Sequence, residues 1–352
     1  MRHASFPFYR RLIAVTVVLT LALVMLGAYV RLSDAGLGCP DWPGCYGHLT
    51  PARASDHIAR AVEAQGGEHG PVSMGKAWRE MLHRYFASGL GLLIIAIAVI
   101  AWRQRARLGQ SPWLATALVG IVVLQGLFGK WTVTLLLKPA IVTGHLIGGL
   151  LTLAILVWLW ERQNAGRARV DAEAARRLRL ASALGFVLLA AQIFLGGWTS
   201  TNYAALACPD LPTCQGQWLP DTNFADAFHL VRELGMTGDG EMLPMQALTA
   251  IHLSHRIGAV VVALYLGWLA WRASRVDGLQ PLGAALMAVL LAQLVLGISN
   301  VLLSLPLPVA VAHNGGAAVL VTLMVMLNYR VGRAGRAAPA ANRSVSPASH
   351  HA

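Results

Sequence analysis

The residues whose types and spacing can do chemistry fall in one five-residue stretch, Glu80-Met81-Leu82-His83-Arg84, and in its partial echo, His252-Leu253-Ser254-His255-Arg256. Each stands at the mouth of a long apolar run, the first of them Ala87 to Trp102. Ionisable groups at membrane depth are costly to hold, so a carboxylate, an imidazole and a guanidinium packed together there mark a functional site. On a helix, Glu80 and His83 lie about 300° apart around the axis and roughly 4.5 Å apart in rise, close enough to one face to serve one ligand. Two further histidines, His145 and His313, lie near the outer ends of other apolar runs. Of the twelve histidines, His3, His48, His57, His69, His229, His350 and His351 lie in loops or tails, where a solvated side chain needs no explanation.

The elements that position these residues follow from composition. Of 352 residues, 56% are hydrophobic and 12% charged, and the mean hydropathy of +0.56 lies outside the range of soluble domains. The expected fold class is an all-α integral membrane protein. Eight runs can span about 30 Å of hydrocarbon: Leu12 to Val30, Met81 to Trp102, Pro112 to Lys130, Ala140 to Trp160, Leu180 to Ser200, Met245 to Trp271, Pro281 to Leu303 and Val309 to Tyr329. The first is too long for a signal peptide and lacks a cleavage site before Arg31, so it reads as an uncleaved anchor.

Charge sets the orientation. The amino-terminal arm, the second-to-third, fourth-to-fifth and sixth-to-seventh connections and the tail carry 18 of the 28 Lys and Arg. By the positive-inside rule that side is cytoplasmic, with both termini inside and the long loops in the periplasm of a bacterial inner membrane. The net charge of +12 therefore reflects topology and attraction to anionic membrane lipid, and calls for no nucleic acid. The expected organisation is a cytoplasmic arm at 1–11, a four-helix bundle at 12–160, a linker at 161–179, a second bundle at 180–329 and a disordered tail at 330–352.

The halves repeat. Leu26-Gly27 through Cys39-Pro40-Asp41 and Cys45 to Gly47 recurs as Leu195-Gly196 through Cys208-Pro209-Asp210 and Cys214 to Gly216. Gln125, Gly129 and His145 map onto Gln293, Gly297 and His313, and His83 onto His255. A duplicated unit of four spans gives parallel repeats about an axis along the membrane normal. All four cysteines lie in the two long loops. The pairs Cys39-Cys45 and Cys208-Cys214 most simply form disulfides in an oxidising compartment, with a zinc site as the competitor.

Two histidines from neighbouring helices of a four-helix unit are what a bis-imidazole haem site needs, and the sequence holds two such pairs, His83 with His145 and His255 with His313. Gly144, Gly148, Gly149, Gly315 and Gly316 would let a flat macrocycle approach the helices, or would serve tight helix packing. Arg84 and Arg256 could meet haem propionates or anchor the helices at the interface. Where the first copy has Glu80 the second has His252, so the first half reads as reactive and the second as a permanent cofactor holder. Pairing of Glu80 with Arg79 or Arg84 is its bland alternative.

Gly27-Ala28-Tyr29-Val30-Arg31-Leu32, Gly36-Leu37-Gly38-Cys39-Pro40-Asp41-Trp42-Pro43, Glu80 to Arg84, Gly144-His145, His255-Arg256 and Ala312-His313-Asn314, in this order, resemble the haem A synthase family. The resemblance covers Leu12 to Tyr329. It implies two similar four-helix bundles that oxidise the methyl group at carbon 8 of haem o to a formyl group, giving haem a for cytochrome c oxidase, by successive hydroxylations with molecular oxygen as co-substrate. Haem b would be ligated by His255 and His313 and the substrate haem would lie between His83 and His145, near the periplasmic side. Glu80 matches the family's essential glutamate. A haem O synthase would supply the substrate; the electron donor is not implied. The first-loop pair, Cys39 and Cys45, is linked in the family to activity or to electron and haem transfer. The chain departs from the pattern in the cysteine spacing and in insertions around Pro51 to Gly70 and Trp218 to Leu243.

Three other readings use the same residues differently. A dihaem cytochrome passing electrons between quinone and a periplasmic partner needs the histidines but not Glu80. A haem carrier or transporter needs a polar path across the membrane. A thiol-oxidising enzyme would leave the histidines idle.

Overall fold

A computed structural model of the chain describes residues 6–65, 67, 70–164 and 170–337, and these are helical apart from loops and turns. Eight helices are long and apolar enough to cross a membrane. They are α1 (Pro7–Leu32), α2 (Met74–Arg103), α3 (Trp113–Thr134), α4 (Pro139–Gln163), α5 (Ala172–Thr201), α6 (Met245–Ala273), α7 (Gln280–Leu302) and α8 (Leu307–Ala337). Each contains one of the expected apolar runs almost whole, and several outrun it, because a helix continues past its apolar part until a cap stops it. Ser73 caps α2 by accepting the Lys76 N–H at 3.2 Å, so the helix begins at Met74, ahead of the apolar run that starts at Met81. Asp171 does the same for α5 at the Ala174 N–H, 2.7 Å.

Helix therefore extends into the expected arm from Pro7, into both edges of the expected linker and into the expected tail as far as Ala337. The remainder of the expected disordered tail, and His3, His69, His350 and His351, lie outside the described residues.

Each set of four helices closes a ring. In the first half α1 packs on α2, α2 on α3, α3 on α4 and α4 on α1, and α5 to α8 follow the same order in the second. The rings meet through α1 against α8 and through α4 against α5 and α8. One apolar cluster crosses that seam, joining Leu150, Leu153 and Val157 of α4 to Leu266, Leu269, Met324 and Leu327. Toward the carboxyl ends of α4 and α8, the buried Glu161, 4% exposed, accepts two hydrogen bonds from Arg330, both 3.0 Å.

The backbone repeats as the sequence does. Among the described residues eight non-glycine positions adopt left-handed φ, and they fall into four counterpart pairs: Asp34 with Tyr203, Tyr46 with Gln215, Leu136 with Ser304 and Leu137 with Leu305. The cis prolines, Pro43 and Pro212, are counterparts as well. Where the halves meet at the outer end, counterpart positions touch: Arg31 donates to the Ser200 carbonyl at 2.9 Å, and the Tyr203 hydroxyl donates to Asp34 at 3.0 Å.

The long loops fold down as caps on their own bundles. The first places a helix, Ser55–Ala64, over Cys39, Cys45 and Met81, with Ile58 buried among them. The second docks on Trp198, whose indole N–H donates to the Ala227 carbonyl at 2.8 Å. Arg232 ties it down by donating to the Met236 carbonyl at 3.0 Å and to the Asn202 side chain.

Candidate functional site

The four repeated histidines sit in the outer part of the rings, on α2, α4, α6 and α8. The expectation of neighbouring helices needs correction. In a ring of four in chain order, α2 and α4 are diagonal, as are α6 and α8, and neither pair shares a packing seam. Even so, the two imidazoles of each half lie within electrostatic reach of one another.

A glycine on an adjacent helix seats each ring. A Cβ built on Gly27 of α1 would stand 3.0 Å from Cε1 of His83, and one on Gly196 of α5 would stand 2.9 Å from Cε1 of His255. Gly129 of α3 and Gly297 of α7 play the same part for His145 and His313, at 3.5 Å and 3.2 Å. Helix packing accounts for the glycines beside the histidines in sequence, Gly149 excepted. Gly148 and Gly316 make room for the amides of Gln125 and Gln293, Gly144 faces Phe128 and Gly315 faces Met25, while nothing lies within 4 Å of Gly149. The sequence drew attention to glycines next to the histidines in the chain, whereas those that touch the imidazoles lie across the helix seam. Their signal was available, since all four occupy repeated positions.

The rings fit a planar iron-bearing ligand. Nδ1 of His83, His145 and His313 is buried with no hydrogen-bond partner, an arrangement that is unfavourable by about 1–3 kcal/mol for each unsatisfied polar group. Paired buried imidazoles, three of the four without a protein partner at Nδ1, fit the donor set of an axially ligated porphyrin.

Above each pair sits a disulfide loop. Cys39 and Cys45 are joined, as are Cys208 and Cys214, and the described residues include no free cysteine, so the zinc alternative falls away. Asp41 staples the first loop by accepting the N–H groups of Tyr46 at 2.5 Å and Gly47 at 2.8 Å. Asp210 staples the second through Gln215 at 2.6 Å and Gly216 at 3.0 Å. The Thr213 hydroxyl also donates to Asp210 and, with those amides, holds its carboxyl below the usual carboxylate range.

Glu80, 5% exposed, joins loop to helix. Its Oε2 accepts the Cys39 N–H at 2.9 Å and its Oε1 pairs with Arg84. His252 holds the corresponding position, with Nδ1 accepting the Cys208 N–H at 3.2 Å and Nε2 meeting Arg256 at 3.2 Å. The arginines are clamps on the loops. Arg84 donates to the carbonyls of Asp41 at 2.7 Å and Gly44 at 2.5 Å; Arg256 donates to those of Cys208, Asp210 and Thr213 at 2.6, 2.8 and 3.0 Å. Both guanidiniums find these acceptors because a Pro-rich loop exposes carbonyls that no secondary structure satisfies.

A family model described as cytochrome oxidase assembly protein matches residues 10–325. A haem A synthase of Shewanella oneidensis is 41% identical over 319 residues, covering 90% of this chain and 95% of the relative. The chain belongs to the haem A synthase family. More distant members include the haem A synthases of Rhizorhabdus wittichii, 26% identical over 328 residues with 89% and 90% of the two chains covered, and of Sphingopyxis alaskensis, 26% over 336 residues with 90% and 89% covered. Family membership makes the chain an oxidoreductase with eight membrane-spanning helices, and haem the ligand class against which the paired imidazoles are to be judged.

Proposed function

We propose that this protein makes haem a by oxidising the methyl group at carbon 8 of haem o to a formyl group, through two hydroxylations and loss of water. The observation that carries the reading is a pair of glycine-seated histidines in each half of a haem A synthase family member, three of the four with a buried Nδ1 that has no protein partner. Haem b belongs in the second half, held by His255 and His313; the substrate haem o belongs in the first, between His83 and His145. When bound, haem would supply one-electron redox chemistry, with molecular oxygen as the co-substrate.

The chain's own residues bind, orient and exclude water. The imidazoles would hold the porphyrin, the seat glycines make room for the imidazole rings, and the capped loops cover the outer end. Glu80 is the catalytic residue of this reading. Its buried carboxylate, compensated by Arg84, supplies fixed negative charge beside the His83 site and stabilises positive charge developing on the substrate. His252 cannot do the same, which assigns the reaction to the first half. The arginine-rich connections face the cytoplasm in this reading, and the haem sites lie toward the periplasmic side of the inner membrane. A haem O synthase hands over the substrate.

The test is extraction of the haems from purified protein with and without supplied haem o. Haem b in both preparations and haem a in the second are the expected result. A correctly folded protein that takes up no porphyrin would reject the reading. Haem b together with unconverted haem o in an active redox preparation would favour the electron-passing dihaem cytochrome.

A further inference from the structure

The repeat is broken at one polar position that none of this chemistry has used. Gln192 on α5 places its amide nitrogen 3.0 Å from Nδ1 of His255 and 3.0 Å from the His255 backbone carbonyl. Its counterpart in the first half, by the alignment of Gly27 with Gly196, is Leu23. A leucine offers the ring no hydrogen bond, and Nδ1 of His83 has no partner. A second position differs in step. Gly258, one turn beyond His255, corresponds to Phe86, one turn beyond His83. A Cβ at Gly258 would stand 2.2 Å from Oε1 of Gln192, so the glycine is what admits the amide. Gln125 with Gly148 and Gln293 with Gly316 repeat the pairing of amide and glycine beside His145 and His313, but Nδ1 of those two histidines has no partner, so among the four an amide reaches a ring nitrogen at His255 alone.

We infer that Gln192, admitted by Gly258, is a positioning residue that locks His255 as a permanent axial ligand, and that its replacement by Leu23 beside His83 leaves the first-half ligand free to release its haem. This rests on the haem-binding reading above. An imidazole that binds metal through Nε2 carries its proton on Nδ1, and a partner for that proton orients the ring and raises its basicity. An amide has an N–H and a C=O end, interchanged by a half-turn: when Nδ1 carries the proton, Oε1 accepts it and the bond to the His255 carbonyl is given up. Its Oε1 has no other partner among the described residues. In a half that keeps its cofactor through every cycle such a lock is useful, whereas in a half that must admit haem o and discharge haem a it would slow turnover.

The full-length protein is purified with haem b, and two quantities are read: the midpoint potential of the second-half haem, and the rate at which haem b passes to excess apomyoglobin. In Gln192→Leu the weaker, less basic ligand is expected to move the potential positive and to speed haem loss about 10- to 100-fold, the range for loss of an outer-shell partner. Gly258→Ala leaves Gln192 in place but displaces its amide, and is expected to reproduce the direction of both shifts. The double variant should add little, since both changes remove one contact. Uptake of supplied haem o by the first half serves as the folding control. Wild-type potential and wild-type release in both single variants would overturn the inference while leaving haem ligation intact. A wild-type protein that retains no haem b would overturn both.

Discussion

In the first half a carboxylate takes the amide of the leading disulfide cysteine and pairs with the arginine one turn away; in the second an imidazole takes the equivalent amide and meets the equivalent arginine. The loop, the staple by Asp41 or Asp210, the cis proline and the arginine clamp are otherwise alike. Glu80 and His252 thus hold the same structural position with different chemistry. The bland reading of Glu80, that it pairs with Arg84, is correct as structure and is no argument against function, because His252 meets the same needs without a carboxylate. What distinguishes the halves is charge at one seat and an amide at one ligand, against a backbone that is duplicated down to its left-handed residues.

The comparison is broken most directly by exchanging the seat residues. Glu80→His should fold, since an imidazole already accepts a cysteine amide in the other half, yet haem a output should fall by at least about 100-fold, the lower end for a positioned acid, base or charge. Product analysis of extracted haems reads this, with haem o or the hydroxylated intermediate accumulating. Haem a at the wild-type level would show that the carboxylate only holds the loop. His252→Glu should leave conversion near normal, and a large loss there would mean that both halves share the chemistry.

Removing a ligand from each half sharpens the contrast. His313→Ala should abolish the low-spin signal of resident haem b, while His145→Ala should leave that signal and impair uptake of haem o. Optical and electron paramagnetic resonance spectra of the two purified variants decide this, and identical spectral losses would dissolve the division into a substrate half and a cofactor half.

A third variant asks whether the halves behave as one body. Arg330→Ala leaves the Glu161 carboxylate buried without its partner, and loss of one member of a buried pair is destabilising by about 3 kcal/mol. With apolar packing shared across the α4–α8 seam, unfolding in mixed micelles should stay a single transition at lower detergent fraction. Two separated transitions would show that the bundles are independent.

How much of this was legible depended on the range over which each feature acts. The eight spans could be read because about twenty apolar residues in a row register locally, and their ends were misjudged where polar turns such as Met74 to Glu80 carry the helix past the hydrocarbon. Duplication singled out His83, His145, His255 and His313 from twelve histidines. Spatial relations between helices were another matter. Spacing along the chain cannot show that α2 and α4 are diagonal, that Gly27 and not Gly148 touches an imidazole, or that Arg84 turns to carbonyls some forty residues earlier. Gln192 was visible as an amide in an apolar run at a place where the repeat has Leu23, but its partner became evident only with the helices packed.

The smallest effect separates structure from chemistry in the disulfides. The two rings have the same sequence separation, 6 in each, so the chain-entropy argument gives them equal weight, about 2 kcal/mol apiece. Cys39→Ser with Cys45→Ser and Cys208→Ser with Cys214→Ser should therefore shift unfolding in mixed micelles by similar amounts. Their effects on output should differ. Opening the first loop loosens the Cys39 amide that holds Glu80, and the carboxylate loses its fixed place beside the His83 site. Opening the second loosens only the hold on His252, to which no step of the reaction is assigned. Haem a formation should accordingly drop in the first variant and persist in the second. Equal losses in both would trace the effect to stability alone and remove the coupling between the first loop and Glu80.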